Sequence, residues 1–87
     1  MSDNAIKEKI YQVLKKFYFN DHNDLVDVSN GSYDYLHLVI VSRKFDSQNV
    51  KDRYELIWDE LENKLTPEEW GHISLTVGIS PEEVKAI

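Results

Sequence analysis

The run Leu38-Val39-Ile40-Val41 is apolar at every position. A strand with one wet face alternates apolar and polar residues. Four consecutive aliphatic residues therefore mark a strand that has neighbours on both sides and is substantially covered. Any fold for this chain must place the stretch Tyr35 to Ser42 inside a sheet.

Its partners follow from the flanking patterns. Leu25-Val26-Asp27-Val28-Ser29 reads as a strand, and Asn30-Gly31-Ser32 supplies turn residues, so a β-hairpin is the natural pairing. His72 to Ile79 alternates, with Ile73, Leu75, Val77 and Ile79 facing one way and His72, Ser74, Thr76 and Gly78 the other. Two helical segments separate it from the central strand. The spacing therefore predicts a parallel pairing through a right-handed crossover.

The helices show the 3.6-residue period. Residues 5–19 carry Ile6, Ile10, Val13, Leu14 and Phe17 on one stripe, with Asn4 or Ser2 as candidate cap and Lys15 and Lys16 at the negative end of the dipole. Of the crowded aromatics Tyr11, Phe17, Tyr18 and Phe19, one or two can reach a core. After the loop 43–49, Val50, Tyr54, Ile57, Trp58, Leu61 and Leu65 form the stripe of a second helix. Thr66-Pro67-Glu68-Glu69 is a capping box that opens a short third helix, and Ser80-Pro81-Glu82-Glu83 repeats it near the end of the chain. The order is α-β-β-α-α-β-α. The expectation is an α+β fold with a three-stranded mixed sheet, helices on one face and the other face wet.

At 87 residues the chain is read as a single domain, 1–87, with a thin core. It has no cysteine, which excludes disulfides, thiolate zinc sites, a chain-supplied Cys₄ iron–sulfur site and cysteine catalysis. No apolar run approaches the roughly 20 residues of a membrane span, and the start Met1-Ser2-Asp3-Asn4 lacks a signal pattern, so the expected location is cytoplasmic, with no membrane partner. Sixteen acidic residues against ten basic ones leave a net charge of −6, which discourages nucleic-acid binding and favours a basic protein partner. The sequence offers no catalytic constellation. Glu68-Glu69 and Glu82-Glu83 serve as capping residues, His22 stands in a solvated turn, and Ser29, Ser32 and Ser42 lack a histidine–carboxylate spacing. The chain is read as a non-enzyme.

The stretch Val39-Ile40-Val41-Ser42-Arg43-Lys44-Phe45, followed by Val50-Lys51-Asp52-Arg53-Tyr54, resembles the BolA family, with Ser42, Phe45, Val50 and Arg53 in register. His72-Ile73-Ser74-Leu75 is similar to that family's histidine-bearing strand, and Ser80-Pro81-Glu82-Glu83 to the segment after it. The resemblance spans residues 5–85. Two positions depart from the pattern: Ser47 stands where the family has glycine after the phenylalanine, and Tyr54 where it has histidine.

The resemblance implies a fold like the class II KH domain and a non-enzymatic adaptor. It also implies pairing with a monothiol glutaredoxin, with a shared [2Fe–2S] cluster in iron and redox homeostasis. His72 would then be the cluster ligand from this chain, and Phe45, Arg53 and Tyr54 would shape the docking face. The second ligand position of the family, in the loop between the first two strands, has no match, because residues 30–34 contain neither cysteine nor histidine; His37 lies beyond it. Alone, the chain is expected to be a monomer or homodimer. The alternatives are a KH-like nucleic-acid-binding or transcription-regulating protein using a positive corner of Arg43, Lys44, Lys51 and Arg53, or an interaction module with no cluster. The first meets a chemical objection, since the loop 63–67 lacks the glycines that let backbone approach phosphate.

Overall fold

Leu36–Val41 is the central strand of the sheet, hydrogen-bonded on both sides. The computed structural model describes residues 3–85. Helix α1 spans Asp3–Phe17, β1 Leu25–Asn30, β2 Leu36–Val41, α2 Val50–Lys64, α3 Pro67–Trp70, β3 Ile73–Ile79 and α4 Pro81–Lys85. Single 3₁₀ turns occupy Ser32–Asp34 and Arg43–Phe45. The spatial order is β1-β2-β3, with β1 antiparallel and β3 parallel to β2, as the element order and strand separation require. The fold is α+β with a three-stranded mixed sheet. No described helix is long and apolar enough to cross a membrane.

One cluster makes the core. Ile6, Ile10 and Leu14 of α1 and Ile57 and Leu61 of α2 pack on Leu36, Leu38 and Ile40, with Phe19 and Phe45 filling the end nearer the loops. The ends of the helices depart from the apolar stripes. Phe17 is exposed between the ammonium groups of Lys16 and Lys64, and Phe19 takes the core position, because the chain turns at Tyr18 as Phe19 N donates to Leu14 O at 2.7 Å. Val50 and Tyr54 are also exposed, and along the stripe of α2 burial begins at Ile57. Asn4 lies within α1 rather than capping it, and Ser2 lies outside the described residues.

The third strand departs from its sequence pattern. Ile73 stands opposite Leu36, but Leu75 stands opposite His37, so Ser74 is one residue extra on the β3 side. This β-bulge inverts the alternation. Ile73 stays in the core, whereas Leu75, Val77 and Ile79 pass to the uncovered face and Thr76 and Gly78 turn toward the helices. The expected grouping of Ile73 with Leu75, Val77 and Ile79 is thereby corrected. The physical cause is volume. On the helix side, a Cβ at Gly78 would sit 3.0 Å from the Phe45 ring, and Trp58 Nε1 donates to Thr76 Oγ1 at 3.2 Å. The Phe45 ring thus favours glycine on the helix side, and the Trp58 N–H gives Thr76 a polar partner there. The uncovered face is consequently not wet in the sense expected. Its cross-strand rows are Leu25–Val41–Ile79, Asp27–Val39–Val77 and Ser29–His37–Leu75.

The hairpin turn also differs from expectation. The tight turn lies at Tyr33-Asp34, both with positive φ (57° and 66°), closed by Tyr35 N donating to Ser32 O at 3.1 Å. This is type I′ geometry, favoured because its twist matches the strands but costly for residues with a Cβ. Gly31 is needed for a different reason: a Cβ there would lie 2.2 Å from His37 Nε2, so the imidazole rests directly on the glycine. Tyr33 is 92% exposed and loses no packing on substitution. The double substitution Tyr33→Asn with Asp34→Gly should therefore stabilise the fold by about 1–2 kcal/mol. The check is a higher urea midpoint at unchanged slope.

Candidate functional site

The residues that carry the sequence pattern meet where β2 and β3 end. Ser42 follows β2, is 1% exposed, and donates its N–H to Ile79 O at 3.0 Å, extending the parallel ladder by one bond. Its hydroxyl accepts from Lys44 N at 3.1 Å, capping the 3₁₀ turn that swings Phe45 back beneath the sheet. Phe45, expected on a docking face, is instead fully buried against Gly78 and Phe19. Its role is to build the corner from inside. Beyond it, Ser47 adopts φ 64°, the left-handed region that favours glycine.

Arg53 closes the corner from the second helix. Asn49 caps α2 through Asp52 N at 2.8 Å, which sets the helix start and places Arg53 on the side facing β3. Its Nε donates to Gln48 O at 2.9 Å, and its Nη1 donates to Gly78 O at 3.1 Å and to Glu83 Oε1 at 2.6 Å. The guanidinium carbon lies 6.0 Å from the centre of the Phe45 ring. Because Ile79 O points to β2, Gly78 O points away from it, toward the free edge of the sheet. Arg53 therefore occupies an edge acceptor that another strand could otherwise use. The same Glu83 oxygen accepts from Ser80 N at 2.8 Å, tying the start of α4 to Arg53. The Arg53 hydrogen bond, followed by the Ser80 backbone bond, lowers the Glu83 carboxyl from its ordinary 4.5 to about 2.

Tyr54 stands beside this corner, 55% exposed, its ring 6.1 Å from that of Trp58. With Val50, Arg53, Ile57, Thr76 and Gly78 it lines a groove of about 180 Å³ between α2 and the edge of β3. His72 is elsewhere. It is half-buried, immediately before β3, its carbonyl accepting from Leu36 N at 2.8 Å. It lies six residues from Gly78 along an extended strand, or about 20 Å. The structure thus joins Phe45, Arg53 and Tyr54 at one end of β3 and leaves His72 at the other. His72 belongs to the turn that leads into β3, its N–H donating to Glu69 O at 3.3 Å, and His37 stands on the uncovered face of the sheet.

The basic residues do not form a free positive corner. Arg43 pairs with Asp46 at 3.8 Å, Lys51 with Glu55 at 4.0 Å, Arg53 with Glu83, and Lys44 lies 4.8 Å from the centre of the Tyr18 ring. Each has a local partner, an acid for Arg43, Lys51 and Arg53 and an aromatic ring for Lys44. On the outer side of α2 an acidic hollow of about 420 Å³ is lined by Tyr18, Asp52, Glu55, Asp59 and Glu60. Partial burial, then Glu60, raises the Tyr18 hydroxyl above its ordinary 10.0.

Gly78 and Glu83, read in the sequence as a strand residue and a capping residue, also belong to the corner. A lone glycine inside a strand signals close approach by another group, and the second capping box marks Glu83; either could have found them. No family model, curated protein or solved structure matches the chain.

Folding holds the Glu83 carboxyl near 2, so unfolding takes up a proton at any pH between that value and 4.5. The stabilisation is fully present above the unfolded value and is lost as pH falls through the folded one. Urea midpoints should show wild type above Glu83→Gln at about pH 6, with the gap narrowing between about pH 4.5 and 2.

Proposed function

We propose that the chain is a BolA-like adaptor with a class II KH-like fold, acting by docking a monothiol glutaredoxin and not by catalysis. One observation carries the reading: Ser42, Phe45 and Arg53, quoted for the resemblance from separate elements, are parts of one interlocked corner. The positive φ of Ser47 supports it as well, since that is the position where the family has glycine.

A [2Fe–2S] cluster shared with the partner is the associated cofactor. A chain without cysteine offers such a cluster imidazole nitrogen only. His72 fits that donor role, being half-buried at the head of β3 rather than enclosed in the core. His37 is a second imidazole, on the uncovered face of the sheet, its ring seated on Gly31. Among the described residues no three His, Cys, Asp or Glu side chains gather into a metal site. The glutaredoxin and its glutathione would therefore supply the thiolates. Arg53 and Tyr54, at the opposite end of β3, would contribute a separate part of the docking face.

Mixing with a cluster-loaded monothiol glutaredoxin tests the reading through visible circular dichroism. New bands are expected for wild type and for His22→Ala, and their loss for His72→Ala. A spectrum unchanged by wild-type chain would contradict the proposal.

A further inference from the structure

The uncovered face of the sheet is apolar over most of its area, and its geometry selects what can cover it. Six of the nine residues in its three rows are Leu25, Val39, Val41, Leu75, Val77 and Ile79. Leu25 and Leu75 are 51% and 45% exposed. The main-chain groups of the rows are engaged in the ladder or lie at the edges, so an occupant of the face finds side chains and no hydrogen-bonding partners. An extended segment laid there would bury its own N–H and C=O groups unpaired, whereas a helix satisfies its own.

Dimensions point the same way. Three strands and about six residues make a strip about 14 Å wide and 20 Å long. A helix about 10 Å across lies along such a strip.

Charge completes the selection. Asp27 is the one acidic side chain in the three rows, and among the described residues it has no ion-pair partner. A second copy of the chain would bring another uncompensated carboxylate and a further net charge of −6. A basic helix brings the missing cation.

We propose that this face seats an amphipathic α-helix of a partner protein, its apolar stripe on Val39, Val41, Leu75 and Val77 and a lysine or arginine beside the stripe meeting Asp27. The inference goes beyond the glutaredoxin reading and uses neither His72 nor Arg53.

Two synthetic helical peptides serve as probes: one with a leucine stripe flanked by lysines, the other with glutamates in place of the lysines. Backbone amide shifts of the full ¹⁵N-labelled chain report where each binds. The lysine probe should shift residues 37–41 and 75–79 saturably. Asp27→Lys should weaken it about tenfold and confer binding of the glutamate probe. Absence of saturable shifts, or an Asp27→Lys variant that binds both probes as wild type does, overturns the proposal. So do shifts confined to the acidic hollow at Asp52, Glu55 and Asp59, the competing attractor for a basic peptide. Concentration-dependent movement of the same β2 and β3 amides without peptide would assign the face to a second copy and equally overturn it.

Discussion

The contact between the Phe45 ring and Gly78 sets the phase of the third strand, and most of the molecule follows from it. Phe45 is fully buried, and burying a ring of that size contributes about 2–3 kcal/mol, a large share of the stability of a domain this small. A Cβ on β3 at this point would sit 3.0–3.1 Å from the ring, tighter than side chains ordinarily pack. Glycine at position 78 faces the helices without displacing the ring, and its neighbours Val77 and Ile79 face away. Ile73 is nonetheless held in the core opposite Leu36. The extra residue at Ser74 reconciles the two ends of the strand, because a bulge is the smallest change that moves a run of side chains from one face to the other.

The same contact organises the corner around it. With Gly78 drawn in under Phe45, its carbonyl stands at the sheet edge within reach of Arg53, which also holds Glu83 and the Gln48 carbonyl. One guanidinium thus joins the loop before α2, the end of β3 and the start of α4. Arg53 is engaged chiefly as a structural clamp, and Tyr54 and Val50 beside it remain exposed. A binding role at this end of β3 therefore falls on the groove between α2 and the strand edge more than on Arg53 itself. The uncovered face is a separate surface, apolar for a reason internal to the fold.

Element order and strand pairing were legible in the residues because they rest on long periodic signals. The aliphatic run in β2, the stripe from Ile57 to Leu65 and the Thr66–Glu69 capping box each repeat over several positions, and the capping box is present in full. What escaped was decided by single residues. The bulge at Ser74 leaves the apolar alternation of 73–79 intact on paper while reversing its meaning in space. Asn30-Gly31 has the chemistry of a turn, yet the strand pairing runs on through Gly31 N to Tyr35 O and the turn lies at Tyr33-Asp34. Phe17 and Phe19 exchange roles through one main-chain bond past the end of α1. Of the candidate site, Arg53 and Tyr54 were found at an accessible corner. Phe45 proved to be its buried support, and of the positive corner Arg43, Lys51 and Arg53 pair with acids while Lys44 lies over the Tyr18 ring.

The phase reversal in β3 is open to direct measurement, because the chain has no native cysteine. Single variants Ile73→Cys and Leu75→Cys, two positions apart, would share a face in an unbroken strand. Under native conditions the account predicts that a thiol reagent labels the cysteine at 75 at close to the rate of an unfolded thiol and the cysteine at 73 far more slowly. Equal protection at both positions would mean that β3 runs without a bulge and that the apolar face described here does not exist.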